Sequence, residues 1–124
     1  MPKSILVVDD QPELRELAIE ILTDEGYIVI GQADGKRALE HDAEVGPFDL
    51  IVTDLEMPNL NGPGLITEIR RRRPGQPCVL ISGNPEKLEI EAAQLRVPSL
   101  RKPYTIDALR ETVAHALRPE QQHT

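Results

Sequence analysis

Tryptophan is absent, and Tyr27, Phe48 and Tyr104 are the only aromatic side chains. A core built from this chain must therefore be aliphatic. Cys78 is the single cysteine, which excludes an intrachain disulfide and a cysteine-held zinc. It sits inside an apolar run, the setting of a buried, inert thiol. No apolar run approaches the ~18 residues of a membrane span. Residues 1–10 are a short apolar strand ending in acids rather than a signal peptide, so no membrane contact and a cytoplasmic setting are expected. Positive charge is also scarce: 14 Lys and Arg face 21 Asp and Glu, for a net charge of -7. Non-specific nucleic-acid binding needs a basic patch, so direct nucleic-acid binding is not expected. The 124 residues contain no repeat, linker or low-complexity segment. They fit one domain, expected over residues 1–118 with a polar tail at 119–124.

What is present alternates. Ser4–Val8 (SILVV) is a continuous apolar run, the mark of a strand buried on both faces. Gln11–Glu25 carries Leu14, Leu17, Ala18, Ile21 and Leu22 at helical spacing, with Pro12 near its start and Gly26 at its end. Tyr27–Ile30 reads as a strand and Gly35–Ala43 as a weaker helix before Gly46-Pro47. Phe48–Thr53 is a third strand, Pro58 through Gly64 a loop, and Leu65–Arg73 a helix closed by Pro74-Gly75. Pro77–Ile81, Pro85–Leu95, Ser99–Arg101 and Thr105–Leu117 continue the pattern, with Thr105 as N-cap of the last helix. Five strands alternating with five helices predict an α/β, flavodoxin-like (βα)5 domain. Its five-stranded parallel sheet has the order 2-1-3-4-5 and helices on both faces. In such sheets the crevice lies at the carboxyl ends of the strands.

The residues at those ends are polar. Asp9 and Asp10 follow the first run, Asp54 the third, Ser82 the fourth and Lys102-Pro103 the fifth. The fold would gather them on one rim. Three carboxylates together repel and raise the pKa of at least one. Mg²⁺, a hard cation that takes oxygen ligands, relieves this, and with Lys102 it balances the three negative charges. A phosphoryl group entering such a pocket needs little beyond positioning and charge stabilisation. Asp54, central on its strand, is the expected nucleophile of an aspartyl phosphate. Asp9 and Asp10 are expected metal ligands, Ser82 a hydroxyl donor to a phosphoryl oxygen, and Lys102 a point charge beside it.

From Ser4 to about Leu117 the chain resembles the receiver domains of two-component signalling. Asp9-Asp10, Asp54 within TDLEMPNLNG, Ser82 within LISG, and Lys102-Pro103 carry the resemblance. It implies Mg²⁺-dependent phosphorylation of Asp54 by a histidine kinase or a histidine phosphotransfer protein, followed by assisted loss of the phosphate. It also implies that the backbone carbonyl of Glu56 completes the metal shell, and that Glu56 and Asn84 tune phosphate lifetime. The output would leave through protein contacts to a partner the sequence does not name, from a stand-alone receiver or a piece of a hybrid kinase. A homodimer is left open.

The chain departs from that pattern at Ser99, where receivers commonly carry an aromatic switch residue three positions before the lysine. Tyr104 is the nearest aromatic that could stand in for it. The segment between Ser82 and Lys102 is shorter than usual and lacks an Ala-Gly-Ala type turn, so the fourth helix is expected to be short, shifted or mobile. Two rival functions follow. One is a pseudo-receiver that serves only as an interaction module. The other is a phosphatase like the haloacid-dehalogenase enzymes, which Glu56 argues against, because those need an aspartate two residues after the nucleophile. Asp9 and Asp10 could instead be helix N-cap acids, Asp54 a loop-starting carboxylate, Ser82 a turn residue and Lys102 a solvated lysine. Arg70–Arg73 reads as a solvated helix end favoured by the helix dipole. His41, His115 and His123 lack metal-ligand spacing, and Pro58 and Gly62 are expected to shape the loop after Asp54.

Overall fold

The computed structural model describes residues 1–119. Strand β1 (Ser4–Val8) leads to α1 (Pro12–Asp24), β2 (Ile28–Gln32), α2 (Gly35–Val45), β3 (Leu50–Asp54) and α3 (Gly62–Arg72). Strand β4 (Cys78–Ser82), α4 (Pro85–Leu95), β5 (Ser99–Arg101) and α5 (Ile106–Ala116) complete the fold. All pairings are parallel, in the order β2-β1-β3-β4-β5. The expected architecture is the one found. The expected tail at 119–124 lies outside the described residues except for Pro119, as does His123.

The apolar runs divide by alternate residues between two cores, because successive strand side chains point to opposite faces. Ile5, Val7, Leu50, Val52, Val79 and Ile81 face α1 and α5, meeting Ala18, Leu22, Leu109 and Val113. Leu6, Val8, Ile51, Cys78 and Leu80 face α2, α3 and α4, meeting Ala38, Leu65, Ile69 and Leu88. Phe48 is the one aromatic in this second core, and His41 stacks on it with centroids 6.0 Å apart. Cys78 is buried, which pushes its thiol up to about 12. The inert reading holds.

Boundaries moved where a cap or turn overrode the apolar pattern. Gly26 takes φ 96° and Tyr27 N–H donates to Leu22 O, so Tyr27 still belongs to the end of α1 and β2 starts later. Helix α3 begins at Gly62, inside the expected loop. Asn61 caps it by accepting from Gly64 N–H at 2.8 Å, and Pro63 is tolerated in the first turn. Asp54 and Ser82 are the last residues of their strands rather than the residues after them.

Two expectations are corrected. Helix α4 is not short: it has 11 residues, as do α2, α3 and α5. The economy falls in its connection to β5, which is only Arg96, Val97 and Pro98. Arg96 adopts the left-handed conformation (φ 57°) that lets so tight a turn close. The arginine run is also not a plain solvated face. Arg70 donates to the carbonyls of Leu95 and Gln76, while Arg73 reaches Asp42 at 2.6 Å and Gln76 Oε1 at 3.0 Å. Arg72 sits 3.5 Å from the other Asp42 oxygen. Asp42 is fully enclosed, so these guanidiniums hold a buried carboxylate at the amino-terminal edge of the sheet. Arg71 alone follows the expectation, with an exposed pair to Glu68.

Candidate phosphoacceptor site

In a parallel sheet every strand delivers its carboxyl end to the same rim. Asp9 follows β1, and its N–H donates to Gln32 O beside it. Asp54 closes β3 next to Ile81 of β4. Lys102 N–H donates to Ser82 O at 2.9 Å, which ties the end of β5 to the end of β4. Oxygens of Asp9, Asp10 and Asp54 all come within 4.8 Å of one another. Asp9 and Asp54 are buried and Asp10 is exposed. The alternative reading of Asp9 and Asp10 as N-cap acids does not hold, because Gln11 is the N-cap of α1 and Asp9 Oδ1 merely accepts from the N–H of that residue, at 2.9 Å. Its other oxygen accepts from Lys102 Nζ at 3.1 Å.

Lys102 Nζ also stands 2.8 Å from Asp54 Oδ1. That contact is ionic rather than a directed hydrogen bond, and Asp54 Oδ1 is buried with no aligned donor among the described residues. Burial raises the Asp54 pKa, and Asp9 and Asp10 raise it further. Lys102 opposes them, and the balance lies at about 6. Burial alone would lower the Lys102 pKa, but Asp54 and Asp9 more than reverse this and keep it charged. Three carboxylates against one ammonium leave the pocket with excess negative charge.

The donor set fits a hard divalent cation. Carboxylate oxygens already lie within reach of one another, and their repulsion is the charge such an ion relieves. Ser82 is buried and its hydroxyl accepts from Asn84 N–H at 3.0 Å, which leaves its own O–H to donate. Thr53 donates to Asp54 O at 2.9 Å from inside the core. Gly62 N–H donates to Leu55 O, and a Cβ at Gly62 would collide with the Asp54 carbonyl. The loop after Asp54 is thus closed tightly by a residue without a side chain.

Glu56, Asn84, Ser99 and Tyr104 stand apart from the carboxylate cluster. The Glu56 side chain is exposed and pairs with Lys87 at 3.7 Å. Asn84 caps α4, accepting from Lys87 N–H at 3.2 Å. Ser99 is exposed on the edge strand. Tyr104 packs into the core under α1 and α5, not against α4. Beside Ser99, a groove of about 830 Å³ runs between α4 and α5, lined in part by Arg96, Arg101, His115 and Arg118. His115 is exposed there and belongs to no cluster of metal-ligating side chains among the described residues. Two neighbours of the site were missed in the sequence. Gln11 Oε1 accepts from Lys102 Nζ at 3.1 Å, and Arg15 donates to Asp9 O at 2.8 Å. No motif marks either one. Only their place on the first turn of the helix after Asp9-Asp10 could have suggested them.

A family model described as the response regulator receiver domain matches residues 5–114. The chain is 35% identical over 121 residues to the transcriptional regulatory protein GlrR of Escherichia coli, covering 94% of this chain and 26% of that protein. It is 31% identical over 120 residues to the sensor kinase CckA of Brucella abortus, covering 94% of this chain and 13% of that one. The chain therefore spans about a quarter or less of these curated relatives. Among solved structures, the receiver domain of NtrX from Brucella abortus superposes with a TM-score of 0.83 at 33% identity, covering 91% of this chain and 97% of that one. No helix among the described residues is long and apolar enough to cross a membrane.

Proposed function

This chain belongs to the response regulator receiver domain family, a family of signalling domains phosphorylated on an aspartate, and from that membership we propose that Asp54 is the phosphoacceptor. The observation that carries the proposal is the rim itself: three carboxylates within 4.8 Å, with Lys102 Nζ 2.8 Å from Asp54. The donor is a phosphohistidine on a histidine kinase or a histidine phosphotransfer protein. An Asp54 oxygen attacks the phosphorus, the P–N bond breaks, and the imidazole takes up a proton as it leaves. Lys102 turns its ammonium toward the incoming phosphoryl oxygens, and the free O–H of Ser82 donates to one of them. Asp9, Asp10, Asp54 and the Glu56 backbone carbonyl would hold Mg²⁺, which supplies positive charge against the phosphoryl oxygens.

Attack of water on the same phosphorus returns free Asp54 and inorganic phosphate, so the domain assists both its loading and its unloading without acting as an enzyme on other molecules. Output passes by protein contacts in a cytoplasmic setting. The groove beside Ser99 is the surface we assign to it, whether the partner is another protein or a second copy of the chain. Residues 1–118 are the unit that carries these functions.

Beryllofluoride, a phosphoryl mimic, tests the assignment. With Mg²⁺ it should shift the amide resonances of Asp54, Ser82 and Lys102 in the wild type and leave Asp54→Asn unchanged. Unmoved amides in the wild type would leave an interaction module with an idle site. Incubation with a small phosphodonor should add one phosphate to the wild type and none to the variant. Sustained turnover of an aryl phosphate would instead favour a phosphatase.

A further inference from the structure

Gln11 occupies the N-cap of α1, yet its side chain makes no cap hydrogen bond. Ser, Thr, Asp and Asn suit that position because a short side chain reaches back to the first-turn N–H groups. Four other helices show this pattern or close to it, with Asp34, Asn61, Asn84 and Thr105 each accepting from the N–H three residues on. Gln11 breaks it by reaching across the rim to Lys102, 91 residues away, accepting from Nζ at 3.1 Å. Its backbone N–H meanwhile donates to Asp9 Oδ1 at 2.9 Å. One residue thus grips both Asp9 and Lys102.

Lys102 makes two directed hydrogen bonds, to Asp9 Oδ2 and to Gln11 Oε1. Its contact with Asp54 lacks that alignment. The two acceptors differ in what else they attract. Asp9 is a carboxylate in a cluster suited to a divalent cation, whereas a neutral amide is a weaker ligand for such an ion. As positive charge gathers on Asp9, its hold on the ammonium weakens, while the amide keeps its hold. A lysine on a flexible four-carbon stem otherwise has many places to go.

We propose that Gln11 is a positioning residue: it pins the Lys102 ammonium beside Asp54 while the carboxylates exchange partners, and so speeds phosphoryl acceptance. The inference rests on Asp54 being the acceptor. It also explains the missing cap, since the side chain cannot serve both the helix and the lysine.

Two variants separate the roles. Gln11→Ser supplies a capping hydroxyl but cannot reach Lys102, whereas Gln11→Met keeps the length and removes the acceptor. With a small phosphodonor and Mg²⁺, both should accept phosphate roughly threefold to tenfold more slowly, the scale of one partly exposed hydrogen bond. Gln11→Ser should nevertheless melt about 2–5 °C higher. A purely structural role for Gln11 predicts that stability and rate move together. The Lys102 ammonium resonance, assigned by its loss in Lys102→Arg, should be visible by nitrogen-detected NMR in the wild type and broadened in both variants. An unchanged resonance, or wild-type rates in both variants, overturns the proposal. If the wild type takes no phosphate at all, the acceptor assignment falls, and the resonance alone decides whether Gln11 pins Lys102.

Discussion

At the scale of single residues, Asp54 carries a measurable consequence of its burial. Its pKa in the fold, about 6, lies above the ordinary carboxylate value of 3.8. The folded state therefore holds the proton more tightly than the unfolded chain. The protonated group favours folding below pH 4, that advantage fades as pH rises from about 4 to 6, and above it the ionised group opposes folding. After discounting for screening, the penalty near neutral pH is about 1–2 kcal/mol. Asp54→Asn should thus be more stable than wild type by that amount at pH 7.5 without divalent cations, and no more stable at pH 4. Urea unfolding at the two pH values checks this, and an equal difference at both would refute it. Asp9, Asp10, Asp54, Ser82 and Lys102 were legible in the sequence because each ends an apolar run, so the strand pattern itself points to them. Gln11 and Asp42 were not legible. Their partners lie 91 and about 30 residues away, and nothing local distinguishes a glutamine that bonds a lysine from one that bonds water.

At the scale of elements, the pattern of strands and helices was readable because the strands are apolar on both faces and Gly and Pro punctuate them. The ends were less so. Asn61 started α3 within a stretch whose Pro and Gly content argued for a loop, and Arg96 shortened a turn where the missing residues had argued for a defective helix. The arginines closing α3 show the same limit: a helix end with four positive charges looks solvated until the buried Asp42 of the neighbouring helix is placed beneath it. Removing one member of such a set strands the others. Asp42→Ala should destabilise the fold by about 1–3 kcal/mol, tempered because Arg72 and Arg73 can turn to water. It should leave the rate of phosphate acceptance unchanged, because Asp42 lies at the opposite edge of the sheet. Chemical denaturation together with a phosphorylation time course would show whether stability and function separate in this way.

For the whole molecule, the net charge of -7 and the carboxylate cluster act in one direction. Both favour a bound divalent cation, and whatever binds the native state alone stabilises it. Millimolar Mg²⁺ should raise the melting temperature, by about 1 kcal/mol of stability when the ion is at several times its dissociation constant. The gain should vanish in Asp9→Asn/Asp10→Asn. A thermal shift as large in that double variant would mean that Mg²⁺ acts through the general surface charge instead. The parallel order β2-β1-β3-β4-β5 has one more implication, which concerns timing. Asp9, Asp10 and Asp54 come with β1 and β3, but Lys102 directly follows β5, the last strand of the sheet in sequence and one of its two edges. A nascent chain emerging from the ribosome presents Asp9, Asp10 and Asp54 well before Lys102, whose ammonium stands 2.8 Å from Asp54 in the fold. On the proposed reading of Asp54, phosphate acceptance therefore waits until β5 docks and brings Lys102 to the rim.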